Sequence, residues 1–230
     1  MVLVNCLLCK TNLFDTELPA KMLETTTLLV ERLRCVRGER ELFSDLTFSV
    51  NAGMCLHVLG ANGSGKSSLL RILCGLRRAD EGEVYWQDQP IVGNTEFLAT
   101  SGFIGHTDGL KSELTAIENL RWYQHLANQK GEDELDDCLE KLGILRCADL
   151  VTGQLSFGQR RRLAFARLLL APQKLWILDE PFTGIDVNGR KTIESLCVAH
   201  LQAGGSIIMT HHQSLEGGAL SAYRTELNLH

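Results

Sequence analysis

The chain has no apolar run long enough to cross a membrane. Its longest runs, Val2 to Cys9 (interrupted by Asn5) and Leu163 to Pro172 (interrupted by Arg167), fall well short of the ~18–20 residues of a spanning helix. The N-terminus lacks a basic stretch and a clean small-residue cleavage site, so no signal peptide is read there. A basic excess is also missing. The net charge is −5 over 230 residues, which argues against a nucleic-acid binder. The local clusters Arg77-Arg78 and Arg160-Arg161-Arg162 read as solvated helix faces. The eight cysteines are scattered and suggest no disulfide framework. Cys55 and Cys74 lie in apolar stretches and read as small core residues. Cys6-Leu7-Leu8-Cys9 has C-x-x-C spacing, but no second cysteine pair or histidine pair completes a zinc site. There are no internal repeats and no low-complexity tract. These absences point to a cytosolic protein, held at a membrane only by a partner.

What is present is a foldable α/β pattern. Apolar residues make up 44% of the chain, enough for a core. Residues 1–27 read as an extension, and Met22 is an alternative start. Residues 28–58 read as strands, with Asn51-Ala52-Gly53 as a turn. Cys55 to Leu59 is a short apolar run that ends at a glycine-rich loop. Helical periodicity follows, with Leu69, Leu70, Ile72, Leu73 and Leu76 on one face. Glu83 to Trp86 suggests a strand. Residues 107–160 become polar and helix-favouring, with helices over Ala116–Leu126 and Glu134–Leu142, and read as an inserted helical subdomain. A helix over Ser156–Leu170, a buried strand at Leu175–Leu178, a helix over 188–202 and a strand at Ser206–Thr210 complete the domain at about residue 222. Residues 223–230 are set apart as a tail. Alternating strands and helices imply a mainly parallel sheet with helices on both faces.

The glycine-rich loop carries the chemistry. Gly60, Ala61, Asn62, Gly63, Ser64, Gly65, Lys66 and Ser67 fit G-x-x-x-x-G-K-[ST] between a strand and a helix. Such a loop turns backbone N–H groups onto phosphate oxygens, and the next helix adds its positive end. Lys66 reaches the β- and γ-phosphates of ATP, Ser67 is placed to ligate Mg²⁺, and Ser68 completes the nucleotide-binding stretch. Leu175-Trp176-Ile177-Leu178-Asp179-Glu180 is an apolar strand ending in two acids. At the carboxyl end of a parallel strand, Asp179 is a metal-binding candidate and Glu180 a general base for the attacking water.

Leu155-Ser156-Phe157-Gly158-Gln159 then resembles the signature of the ATP-binding-cassette family, Leu-Ser-Gly-Gly-Gln. Phosphate loop, signature, acidic strand end and a late histidine follow in that family's order, and the resemblance spans about residues 28–215. It implies a P-loop NTPase (RecA-like) core with an N-terminal antiparallel β portion and the helical insertion. It further implies a head-to-tail dimer with a second copy, in which Ser156, Gly158 and Gln159 close over the partner's ATP. Phe157 replaces the family's first glycine. Thr183-Gly184-Ile185-Asp186 matches the loop that crosses the dimer interface. His212 matches the switch histidine, with His211 as its competitor. His106 stands where the family has a metal-linked glutamine. Arg37 falls in the register of the residue that stacks on adenine.

The stretch from Gly105 to Leu120, Arg40-Glu41-Leu42-Phe43, Gly82 to Trp86 and Gln159-Arg160-Arg161-Arg162 resemble the cytochrome c maturation, or haem-exporter, group of that family. This implies a peripheral subunit on the cytoplasmic side of a bacterial inner membrane, partnered by the integral membrane subunits of that complex and touching haem only indirectly. His57 and His125 read as packing or surface residues. An ATPase for another transporter, and a soluble cassette ATPase outside transport, remain as alternatives.

Overall fold

The computed structural model describes residues 26–127, 133–171, 173–210 and 218–230. The Cys6/Cys9 pair lies outside them. The described residues begin with a long hairpin, β1 (Thr26–Arg37) and β2 (Arg40–Asn51), followed by β3 (Cys55–Gly60) and α1 (Lys66–Leu73). β4 (Glu81–Trp86), β5 (Gln89–Pro90), α2 (Thr95–Thr100) and β6 (Ser101–Ile104) follow. The helices α3 (Ala116–Leu126), α4 (Asp133–Lys141) and α5 (Phe157–Leu169) come next. β7 (Leu175–Asp179), α6 (Val187–Gln202), β8 (Ser206–Thr210) and β9 (Arg224–Leu229) close the domain.

Two sheets result. One is antiparallel, in the order β2-β1-β4-β5; the other has five strands in the order β6-β7-β8-β3-β9. Every pair in the second sheet is parallel. Its strands are buried on both faces, so their apolar runs are continuous, and successive residues feed opposite cores. Leu175 and Ile177 join Leu56, Val58 and Ile208 in a core shared with α1 and the antiparallel sheet. Trp176 and Leu178 join Ile207, Met209 and the apolar faces of α5 and α6 on the other side. α3 and α4 pack on α5 in that second core through Leu120, Leu135 and Leu139.

Local chemistry sets the helix starts. Thr115 and Glu118 form a reciprocal capping box at α3. Asn119, fully buried, accepts from the Lys111 N–H and donates to the Thr152 hydroxyl, so the segment before α3 is tied to the segment before α5.

The structure corrects three sequence expectations here. Residues 224–229 are no tail: they form β9, which pairs with β3 along its whole length. Alternate side chains Leu227 and Leu229 fill the core, while Thr225 at the next inward position leaves too short an apolar alternation to show in the sequence. Leu76 is 69% exposed, because α1 stops at Leu73 and Gly75 turns the chain at φ +75°. The Arg160–Arg162 cluster is not a solvated face, since Arg161 is 2% exposed. It lies on the same α5 stripe as Ala164, Phe165 and Leu168 and finds its partners at the sheet edge.

Candidate active site

The carboxyl edge of the parallel sheet gathers four segments: the loops after β3, β6 and β7, and the end of β8. The loop after β3 needs its glycines. A Cβ on Gly60 would stand 2.5 Å from Ser64 Oγ and 2.7 Å from the Leu229 carbonyl oxygen. Gly65 holds φ +101° and lies so close to Leu42 and Phe43 of the hairpin that a Cβ would meet both within 3.2 Å. Gly65 is also the N-cap of α1, and no side chain caps that end. The first N–H groups of the helix are therefore left for an anion. Lys66 is 8% exposed and donates to the Gly60 carbonyl at 2.7 Å and the Ala61 carbonyl at 3.0 Å. The Ser64 hydroxyl is buried and finds no hydrogen-bond partner among the described residues. A loop whose one ammonium is held by its own carbonyls, beside an orphaned hydroxyl and an uncapped helix, fits polyphosphate chemistry. Ala61, Asn62, Gly63 and Ser67 are exposed along the same loop, and Ser68 is half-buried.

Asp179 and Glu180 sit at the end of β7, beside β8. The Thr210 hydroxyl, fully buried, donates to Asp179 Oδ1 at 2.6 Å and accepts from the Glu180 N–H at 2.9 Å. One hydroxyl thus fixes both acids. Asp179 is 6% exposed. Glu180 takes φ +50°, a left-handed conformation uncommon for a residue with a side chain. Its carboxylate accepts from the Thr183 hydroxyl at 3.2 Å. A buried carboxylate with a serine hydroxyl on the neighbouring loop is the donor set that Mg²⁺ takes alongside phosphate oxygens.

Arg161 joins this edge from α5. Its guanidinium donates to the carbonyls of Gly105 at 2.7 Å and Glu180 at 3.0 Å, to the Asp179 carbonyl, and to Asp108 Oδ1 at 3.0 Å. His106 lies between two of these partners, on the exposed loop after β6.

The signature segment stands apart from the phosphate loop. Ser156 caps α5 in a capping box: its hydroxyl accepts from the Gln159 N–H at 3.2 Å, and Gln159 Oε1 accepts from the Ser156 N–H at 2.8 Å. The hydroxyl proton of Ser156 is still available to an acceptor. Phe157, 43% exposed, lays its ring on Gly184, where any Cβ would collide with it. Asp186 caps α6 by accepting from the Gly189 N–H at 3.1 Å. Ser156, Phe157, Gly158, Gln159, Arg162, Gly184 and Asp186 line one open depression of ≈ 430 Å³. No residue of the phosphate loop lines it.

Some predicted residues lie elsewhere or outside the described residues. Arg37 is exposed at the end of the hairpin. The guanidinium near the phosphate loop is that of Arg40, 3.8 Å from where a Cβ on Gly63 would be. His211 and His212 lie outside the described residues. His57 is fully buried on β3, and His125 is exposed on α3, its ring bonded to the Arg121 carbonyl. Among the described residues no cluster of His, Cys, Asp and Glu builds a metal site of protein ligands alone. Sequence reasoning missed Thr210 and Arg161. Arg161 had a signal, a cation at the i−3, i−4 and i−7 spacing from Ala164, Phe165 and Leu168 on an apolar stripe.

Known proteins resemble this chain in sequence and in fold. The ABC transporter family profile matches residues 43–183. Cytochrome c biogenesis ATP-binding export protein CcmA of Idiomarina loihiensis is 47% identical over 201 residues, covering 87% of this chain and 92% of that protein. The CcmA of Haemophilus influenzae is 44% identical over 212 residues, covering 89% and 100%, and that of Aliivibrio fischeri is 44% identical over 189 residues, covering 82% and 93%. In fold, the chain matches an ABC transporter ATP-binding protein of Pyrococcus furiosus with TM-score 0.75 at 22% identity, over 89% of this chain and 98% of that one. It matches the ATP-binding subunit of another ABC transporter with TM-score 0.79 at 23% identity, over 89% and 86%. The chain belongs to the ABC transporter family, as a homologue of the CcmA ATP-binding proteins.

Proposed function

We propose that this ABC ATPase powers a membrane complex of cytochrome c maturation, and that two copies assemble head to tail to build its hydrolytic sites. The observation that carries the composite site is the separation of its halves. The Ser156–Gln159 segment opens with the Asp186 loop into a depression that its own phosphate loop does not line. A second copy supplies the missing half.

ATP binds with its phosphates on Gly60–Ser68. Lys66 exchanges its bonds to the Gly60 and Ala61 carbonyls for β- and γ-phosphate oxygens. Ser67 and Asp179 are the residues to hold Mg²⁺, with His106 nearby in the register of the metal-linked residue. The ion, when bound, neutralises charge on the phosphates. Glu180 accepts the proton of the attacking water as its oxygen bonds the γ-phosphorus and the bond to the β-phosphate oxygen breaks, giving ADP and phosphate. The partner's Ser156 hydroxyl and the N–H groups at the start of α5 stabilise charge on the γ-phosphate. His212 is the candidate switch, Asp186 contacts across the dimer, and Arg40 or Arg37 meets the adenine side.

No helix among the described residues is long and apolar enough to cross a membrane. By its kinship with the CcmA ATP-binding proteins, the chain is a peripheral subunit on the cytoplasmic side of a bacterial inner membrane, held by integral membrane subunits and handling haem only indirectly. The relatives named for cytochrome c biogenesis support that role. Deleting the gene should abolish covalent haem attachment to c-type cytochromes. Restoring the gene should rescue it, and a Lys66→Ala copy should not. Normal haem-stained cytochromes in the deletion strain would refute the role.

A further inference from the structure

Arg161 costs more than packing requires. A cation removed from water carries a penalty of several kcal/mol by the usual estimate for buried ions. A leucine would fill the same place on the α5 stripe. Among the described residues its partner of opposite charge is Asp108, whose side chain is 11% exposed. The remaining acceptors are backbone carbonyls: Gly105 on one loop, and Asp179, Glu180 and, at 3.5 Å, Pro181 on the other. The two loops follow different strands, β6 and β7, and this guanidinium bonds to both.

The carbonyl partners on the β7 side flank the peptide with unusual backbone geometry. Glu180 holds φ +50°, a conformation that persists when its surroundings over-determine it. Thr210 fixes its N–H, Arg161 fixes its carbonyl, and Arg161 also reaches the carbonyls on either side. The planar fork of arginine can serve both loops at once, whereas a lysine ammonium is a single point on a flexible stem.

We propose that Arg161 is a positioning residue: it holds the Glu180 peptide in its left-handed turn and makes that turn depend on the Gly105–Asp108 loop. The proposal rests on Glu180 being the base. When the loop withdraws, Asp108 and the Gly105 carbonyl leave the guanidinium, the fork turns, and the Glu180 carboxylate leaves its aligned position. A displacement at the exposed loop is thereby converted into a change in hydrolysis without touching the nucleotide.

The test is a set of double-mutant cycles on the purified full chain, reading kcat and KM for ATP. Arg161→Lys should lower kcat by ~10–100-fold and leave KM within ~2-fold, since orientation is lost and binding is kept. Asp108→Asn, nearly the same shape and at the edge of the site, should lower kcat by ~3–10-fold in the same pattern and covers the case where Arg161→Lys folds poorly. In a Glu180→Gln background neither change should lower the residual turnover further, because both act through that carboxylate. Equal fold-losses in both backgrounds, or a raised KM with unchanged kcat, would overturn the proposal. The two assignments fail separately. Wild-type turnover by Glu180→Gln alone removes the base, whereas unchanged kcat in both Arg161→Lys and Asp108→Asn removes the positioning role and leaves the base in place.

Discussion

Thr210→Val isolates the single hydroxyl that holds both acids. The side chain is fully buried, and valine keeps its branched shape while removing the oxygen. Two bonds go: the donation to Asp179 Oδ1 at 2.6 Å and the acceptance from the Glu180 N–H at 2.9 Å. The first is a bond to a carboxylate, worth about 1.5–3 kcal/mol, and leaving a buried N–H unsatisfied costs about 1–3 kcal/mol. Some relaxation offsets the sum, so a loss near ~3 kcal/mol is expected, which lowers the melting temperature of a domain this size by roughly 6–12 °C. Turnover should fall further than stability implies, by ~10–100-fold in kcat, since Glu180 loses one of the bonds that set its backbone. Thr210→Ser keeps the hydroxyl and should retain most of both properties. Differential scanning fluorimetry and steady-state phosphate release measure the two effects. A Thr210→Val protein with wild-type kcat and melting temperature would refute the claim that this hydroxyl organises the acids.

Gly184→Ala should cost about 1–2 kcal/mol through its left-handed φ of +69°. It should also push the Phe157 ring out of the signature depression and lower turnover; adding Phe157→Gly should recover the turnover but not the stability, and unchanged urea midpoint and kcat in Gly184→Ala would sink this reading. His200 stacks on Trp176 with ring centroids 4.0 Å apart, and burial, partly countered by a bond to the Ser206 carbonyl, lowers its pKa to about 4. The unfolded chain therefore binds a proton first, so stability is fully present above about pH 6.5 and falls by about 2–3 kcal/mol as pH drops towards 4. Urea titrations across that range should show the loss, and His200→Phe should remove that part of it; equal pH dependence in both proteins would contradict the assignment.

The parts of the site that lie close together in the chain were legible. The phosphate loop and the signature each sit within a few residues, and their spacing follows from what one turn of backbone can present to a phosphate. The expected helix over Ala116–Leu126 matches α3, and the structure shows the Thr115–Glu118 capping box that starts it. What the sequence hid was held by tertiary contact. β9 pairs because β3 offers an edge, and its inward face carries only two apolar residues, Leu227 and Leu229, after Thr225, too few to mark a strand in the sequence. α2 and β6 are too short to carry a period. Thr210 looks like any strand-end threonine until the parallel register sets it opposite Asp179. Three consecutive arginines suggest a solvated cluster, and the helix turns the middle one, Arg161, inward. Arg37 enters the adenine-stacking register only through its distance from Lys66 along the chain. The hairpin's register pairs Arg37 with Arg40 and brings Arg40 near the loop.

The central claim is that each ATP is held by the phosphate loop of one chain and the signature of another. Sedimentation of the Glu180→Gln protein with ATP tests it most directly, against the same protein carrying Ser156→Arg. Glu180→Gln should sediment as a dimer with ATP and as a monomer with ADP. With Ser156→Arg added, ATP should still bind at the phosphate loop, but the dimer should not form. A dimer that persists in the double variant, or ATP binding lost along with it, would contradict the account.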